Sequence, residues 1–106
     1  MTTWMFLGGA ILTEVTATLS LKRALVQPAF YSIVGLGYLT AFVLLSLTLK
    51  QGLGVGVAYG VWAACGVGLT AVGSWLFFGE PLTVVMIGGF ALIVAGVLLV
   101  ELGSAQ

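Results

Sequence analysis

Apolar residues run along this chain in four long stretches, separated by short clusters of glycine, proline and charge. The first stretch extends from about Trp4 to Leu21 and is closed by Lys22-Arg23. The second extends from about Phe30 to Leu49 and is closed by Lys50. The third extends from about Val55 to Phe78, where Gly79-Glu80-Pro81 stops it. The fourth extends from about Thr83 to Leu102, with Glu101 at its edge. A helix of roughly 20 apolar residues, rising about 1.5 Å each, crosses a bilayer core. Each stretch therefore predicts one transmembrane helix. The breaks at Gln27-Pro28, Gln51-Gly52-Leu53-Gly54 and Gly79-Glu80-Pro81 read as turns. Turns this short make successive helices antiparallel neighbours. The expected fold is all-α and integral to the membrane. Residues 1–106 would form a single four-helix transmembrane domain with spans 4–21, 30–49, 55–78 and 83–102.

Composition strengthens this reading. Of the 106 residues, 61% are hydrophobic and only 6% charged, against about 25% charged in a soluble domain. So few charges cannot cover a globular surface, so lipid is the expected solvent. Three basic and three acidic residues leave no net charge and no basic patch for nucleic acid. Histidine is absent, which excludes imidazole as a metal ligand or catalyst. The single Cys65 cannot close an intrachain disulfide or build a metal cluster. No basic side chain precedes Trp4 and apolar segments recur to the end, so the first stretch is not expected to be a secretory signal. No segment remains for a soluble domain, and the chemistry must lie inside the membrane.

Glu14 is the residue to explain. It lies about ten residues beyond Trp4, or roughly 15 Å into a core about 30 Å thick. An ionised carboxylate at that depth costs at least ~2.5 kcal/mol. The first span supplies no permanent cation to pair with it, and Lys22 lies two turns further along and snorkels to the interface. Such a group either faces a polar cavity or binds a proton. A carboxylate that takes either a proton or a cation can couple the two. The alternative is a permanently protonated Glu14 that donates a hydrogen bond across helices.

Its neighbours suit a lined cavity. Leu7, Ala10, Ile11, Ala17 and Thr18 share its face by three- and four-residue spacing. Ala10 and Ala17 leave room and Thr18 can hydrogen-bond; plain helix packing would use the same small residues. In the third span Tyr59 and Trp62 share a face. Ring faces beside a carboxylate can hold a lipophilic cation, whereas an interfacial belt is the other common place for such rings. Trp62 is deep for a belt, while Trp4 fits one. Tyr38, well inside the second span, is a further candidate for the cavity. Gly60, Gly66, Gly68 and Gly73 crowd the third span, where they either permit a bend or allow close packing. Gly89 and Gly96 lie seven residues apart on one face of the fourth span. That face is either an intramolecular contact or a dimer seam. Glu80 and Glu101, at span ends, read as structural or topological.

Taken together these segments resemble a known family. The run Thr13-Glu14-Val15-Thr16-Ala17-Thr18-Leu19-Ser20-Leu21-Lys22 is similar to the Glu-containing first helix of the small multidrug resistance transporters. Gly56-Val57-Ala58-Tyr59-Gly60-Val61-Trp62 resembles their Gly-x-Ala-Tyr-Ala-x-Trp signature. Phe77-Phe78-Gly79-Glu80-Pro81-Leu82 resembles their third loop, and the Gly89/Gly96 pair their dimerisation motif. The resemblance covers nearly the whole chain. It implies an antiparallel homodimer or heterodimer in the cell membrane that exchanges cytoplasmic cations for protons, with no cofactor and no enzymatic reaction. It implies that Glu14 binds substrate or protons, that Tyr38, Tyr59, Trp62 and Thr18 line the site beside Ala10, and that Gly66 marks a helix bend.

Several positions depart from the pattern. The first loop, Arg23 to Gln27, is shorter than usual and lacks a Gly-Phe-Thr-Arg-like stretch. Ala63 replaces a serine and Ala64 a glycine. Ala17 stands where guanidinium exporters of the family carry tryptophan, which favours the quaternary-ammonium-exporting subtype. The expected cycle is competition between lipophilic cations and protons for Glu14, with loose specificity. A guanidinium or polyamine exporter, or one subunit of a heterodimeric pair, is the alternative within the family. Outside it stands a proton-carrying ring subunit of a rotary motor, against which the four spans and the Tyr59/Trp62 pair count. Lys22 and Arg23 lie on one side of the membrane and Lys50 on the other, a bias too small to fix orientation.

Overall fold

The structure, a computed structural model, describes residues 2–104. It contains four α-helices: α1 (Thr2–Ala24), α2 (Tyr31–Lys50), α3 (Val55–Phe78) and α4 (Val84–Ser104). A short 3-10 turn, Pro28–Phe30, precedes α2. No strand occurs among the described residues. All four helices are long and apolar enough to cross a membrane, so the fold is all-α with four transmembrane helices. The chain divides into two compact units, one ending at Leu53 and the other beginning at Gly54.

In the first unit α1 and α2 form a hairpin. The third span is bounded as the sequence predicts, but α1 runs past its expected limits of residues 4 and 21 at both ends. Its last turn carries Lys22 and Arg23, cations that suit the negative end of a helix dipole. Beyond it the N–H of Gln27 donates to the Arg23 carbonyl at 2.9 Å, and that of Phe30 to the Gln27 carbonyl at 3.0 Å. Pro28 sits in the first turn of the 3-10 segment, where its missing N–H costs nothing. The Arg23 guanidinium lies 5.9 Å from the centre of the Phe30 ring, a cation–π distance. The shortened loop thus pins itself to the end of α1. Glycine allows a close approach of the two helices. A Cβ added at Gly37 would fall 2.8 Å from the Ala17 Cβ and 3.1 Å from the Thr13 carbonyl oxygen.

In the second unit α3 and α4 form the other hairpin. Gly79 ends α3 in the left-handed region, at φ 67°, where a side chain would be strained. The N–H groups of Gly79 and Glu80 both turn back to the Ser74 carbonyl. The Ser74 hydroxyl donates to Glu80 Oε1 at 2.8 Å. Glu80 is half-buried, so it closes the helix end as well as meeting water. Thr83 starts α4: its Oγ1 accepts from the Met86 N–H at 3.1 Å and its carbonyl from the Ile87 N–H at 3.0 Å, an N-cap arrangement. Among its described residues α4 buries none.

Candidate functional site

The first unit brings three of the expected residues into one chain of hydrogen bonds. Glu14 and Thr18 are one turn apart on α1, and the Thr18 hydroxyl donates to Glu14 Oε1 at 2.8 Å. Tyr38 on α2 places its phenol oxygen 2.7 Å from Thr18 Oγ1. A threonine hydroxyl has one proton. Since that proton goes to Glu14, the phenol donates to Thr18. The order is Tyr38 to Thr18 to Glu14, two donors in series ending on a carboxylate. All three residues are half-buried. Glu14 Oε2 is buried and has no hydrogen-bond partner among the described residues. A buried acceptor without a partner is costly, so this oxygen is open to a proton or another donor.

Ala10, one turn before Glu14, is fully buried at 0% exposure. Its carbonyl accepts from the Thr13 hydroxyl at 3.1 Å. Leu7, Ile11 and Ala17, expected on the same face, are buried too. Leu12, Thr13 and Thr16 of α1 and Ile33, Leu36, Gly37 and Thr40 of α2 line an open groove of about 380 Å³. The hydroxyls of Thr13, Thr16 and Thr40 there turn back to carbonyls of their own helices, so the groove shows mostly hydrocarbon.

The second unit pairs the expected aromatics. The Tyr59 and Trp62 rings are 5.9 Å apart at 71°, edge to face, a favoured geometry for such rings. Their surroundings differ: Trp62 is 9% exposed and Tyr59 61%. Gly66 is buried within α3, which is continuous from Val55 to Phe78. Gly89 is half-buried and Gly96 exposed. A Cβ added at either would meet nothing within 4 Å, so neither glycine serves a close contact among the described residues. Cys65 is an exposed free thiol.

Reading by spacing missed two features. The Ala17–Gly37 approach joins different helices, and its signal was only that each small residue precedes a member of the bonded chain. The Ser74–Glu80 bond was masked because Glu80 sits at a span end.

The profile of the family described as "Small Multidrug Resistance protein" matches residues 2–93. This chain belongs to the small multidrug resistance family. Its members are multidrug efflux transporters rather than enzymes, and with four membrane-spanning helices this one is a multi-pass protein of the cell membrane. A relative from Mycolicibacterium paratuberculosis (strain ATCC BAA-968 / K-10), "Multidrug resistance protein mmr", is 38% identical over 106 residues, covering 98% of this chain and 99% of its own. The match spans both hairpins.

Proposed function

We propose that this small multidrug resistance protein is a proton-coupled antiporter that exports lipophilic, quaternary ammonium-like cations, with protons and cation competing for Glu14. The observation that carries the reading is the state of the Glu14 carboxylate. Oε1 is engaged by Thr18, whereas Oε2 is buried without a partner. A single open oxygen in mid-membrane can take a proton or face a cation, not both at once. The edge-to-face Tyr59/Trp62 pair supports a cation with spread charge, since ring faces attract such ions. Ala17 is fully buried with its Cβ close to Gly37, which leaves no room for the tryptophan associated with guanidinium export. The name of the mycobacterial relative, a multidrug resistance protein, favours a broad substrate range.

The working unit is an antiparallel dimer, with itself or a paired homologue. Two observations support it: α4 buries no residue, and Gly89 and Gly96 are open to close approach by a neighbour. The weak Lys/Arg asymmetry suits insertion in both orientations. In such a pair two inverted copies supply the repeats of a secondary transporter.

The test is proton release when tetraphenylphosphonium is added to detergent-purified protein, compared with Glu14→Gln. Release by the native chain and none by the variant is the expected result. Binding without release, or equal release by both, would refute competition at Glu14.

A further inference from the structure

The chain of hydrogen bonds depends on how closely α1 and α2 approach, and that approach is set by residues outside it. Ala17 immediately precedes Thr18, and Gly37 immediately precedes Tyr38. A Cβ on residue 37 would lie 2.8 Å from the Ala17 Cβ, closer than real Cβ contacts allow. It would also lie 3.1 Å from the Thr13 carbonyl oxygen and 3.4 Å from the Ala17 Cα. These are backbone or backbone-fixed atoms, so no side chain can swing aside. Any side chain at residue 37 must push the two helices apart where the 2.7 Å Thr18–Tyr38 bond is made. Hydrogen bonds of this kind weaken within a few tenths of an ångström of added length.

We propose that the Ala17–Gly37 contact is a positioning device that divides the two Glu14 oxygens between different tasks. The contact brings the Tyr38 phenol onto Thr18, and Thr18 then holds Oε1. Held at Oε1, the carboxylate cannot rotate freely, and Oε2 is the fixed oxygen that exchanges proton for cation. Gly37 and Ala17 touch neither proton nor cation and act through Tyr38 and Thr18. The device rests on the reading of Glu14 as the exchange group.

A reciprocal substitution tests this. The clash at residue 37 is worst with a single methyl, the Ala17 Cβ. Gly37→Ala should therefore damage the site, and adding Ala17→Gly should repair most of the damage by moving the methyl to the other helix. The readouts are tetraphenylphosphonium affinity and the 13C resonance of the Glu14 side-chain carboxyl. The chain has only three acidic residues, Glu14, Glu80 and Glu101, so carboxyl labelling of glutamate gives few signals, and Glu14→Gln assigns those that matter. Gly37→Ala should shift the Glu14 resonance in the same direction as Tyr38→Phe does, and weaken binding about five-fold, the loss of one hydrogen bond between neutral groups. The Ala17→Gly/Gly37→Ala double variant should return both readouts most of the way to native. In a Tyr38→Phe background, Gly37→Ala should add no further loss, an outcome that a purely structural glycine would not give. A Glu14 resonance unmoved by Gly37→Ala, no recovery in the double variant, or a full additional loss on top of Tyr38→Phe would each overturn the proposal. Should the native protein bind no tetraphenylphosphonium, the antiporter reading falls for that cation, while the carboxyl resonance still decides whether Gly37 positions Glu14.

Discussion

Thr18 is the residue on which the site turns. Its hydroxyl accepts from Tyr38 and donates to Glu14, so it is the only member that makes two of these bonds. Thr18→Ser keeps the hydroxyl and should keep binding near native. Thr18→Val keeps the shape and strands both neighbours. Leaving buried partners unsatisfied costs about 1–3 kcal/mol, and cation affinity should fall about ten-fold or more. Titration calorimetry of both variants checks this, and equal affinities for Ser and Val would remove the hydroxyl from the mechanism. The residue types of this bonded chain were legible in the sequence: a mid-span carboxylate, a hydroxyl one turn on and a tyrosine well inside the second span are conspicuous in so apolar a protein. The bond between Thr18 and Tyr38 was not. They are on different helices, and nothing in spacing along either helix tells which faces meet. The role of Gly37 was hidden for the same reason, since a glycine reveals its purpose only when the atom opposite it is known.

Among the elements, those that end on backbone signals were read most closely. The third span was expected at 55–78 and α3 occupies Val55–Phe78, and at its end Gly79 turns the backbone into the left-handed region. Gly79→Ala should test this, since it forces a side chain into the left-handed region. The cost should be about 1 kcal/mol, measurable by unfolding in mixed micelles with helix content unchanged; a neutral result would mean that the Ser74–Glu80 bond alone closes the helix. The first span was read less well. Lys22 and Arg23 mark the end of the hydrocarbon layer, not of the helix, and α1 continues to Ala24. A charged residue that leaves lipid still has every reason to stay helical. At the start of α2, Pro28 introduces a 3-10 turn where the apolar pattern had placed Phe30 in the span.

At the level of the whole molecule, burial is uneven. Among the described residues α1 buries several and α4 none. Lipid does not penalise an apolar helix for lacking a partner, but a glycine face is of use only where another backbone can come close. Gly96→Leu should therefore reduce dimer formation in bilayers, read by cross-linking or energy transfer, while the helix content stays native. An unchanged dimer fraction would move the seam off α4. Helix length has a consequence as well. With 23 residues in α1 and 20 in α2, the two rods differ by about 4–5 Å at ~1.5 Å per residue. The longer one, at roughly 35 Å, ends in a turn that carries Lys22 and Arg23, so its excess over an average hydrocarbon thickness extends past the lipid tails. A bilayer thinner than its apolar stretch should make α1 lean against α2. The close approach of Ala17 and Gly37 joins the two helices, so such a lean should loosen the grip that Tyr38 and Thr18 keep on the acid.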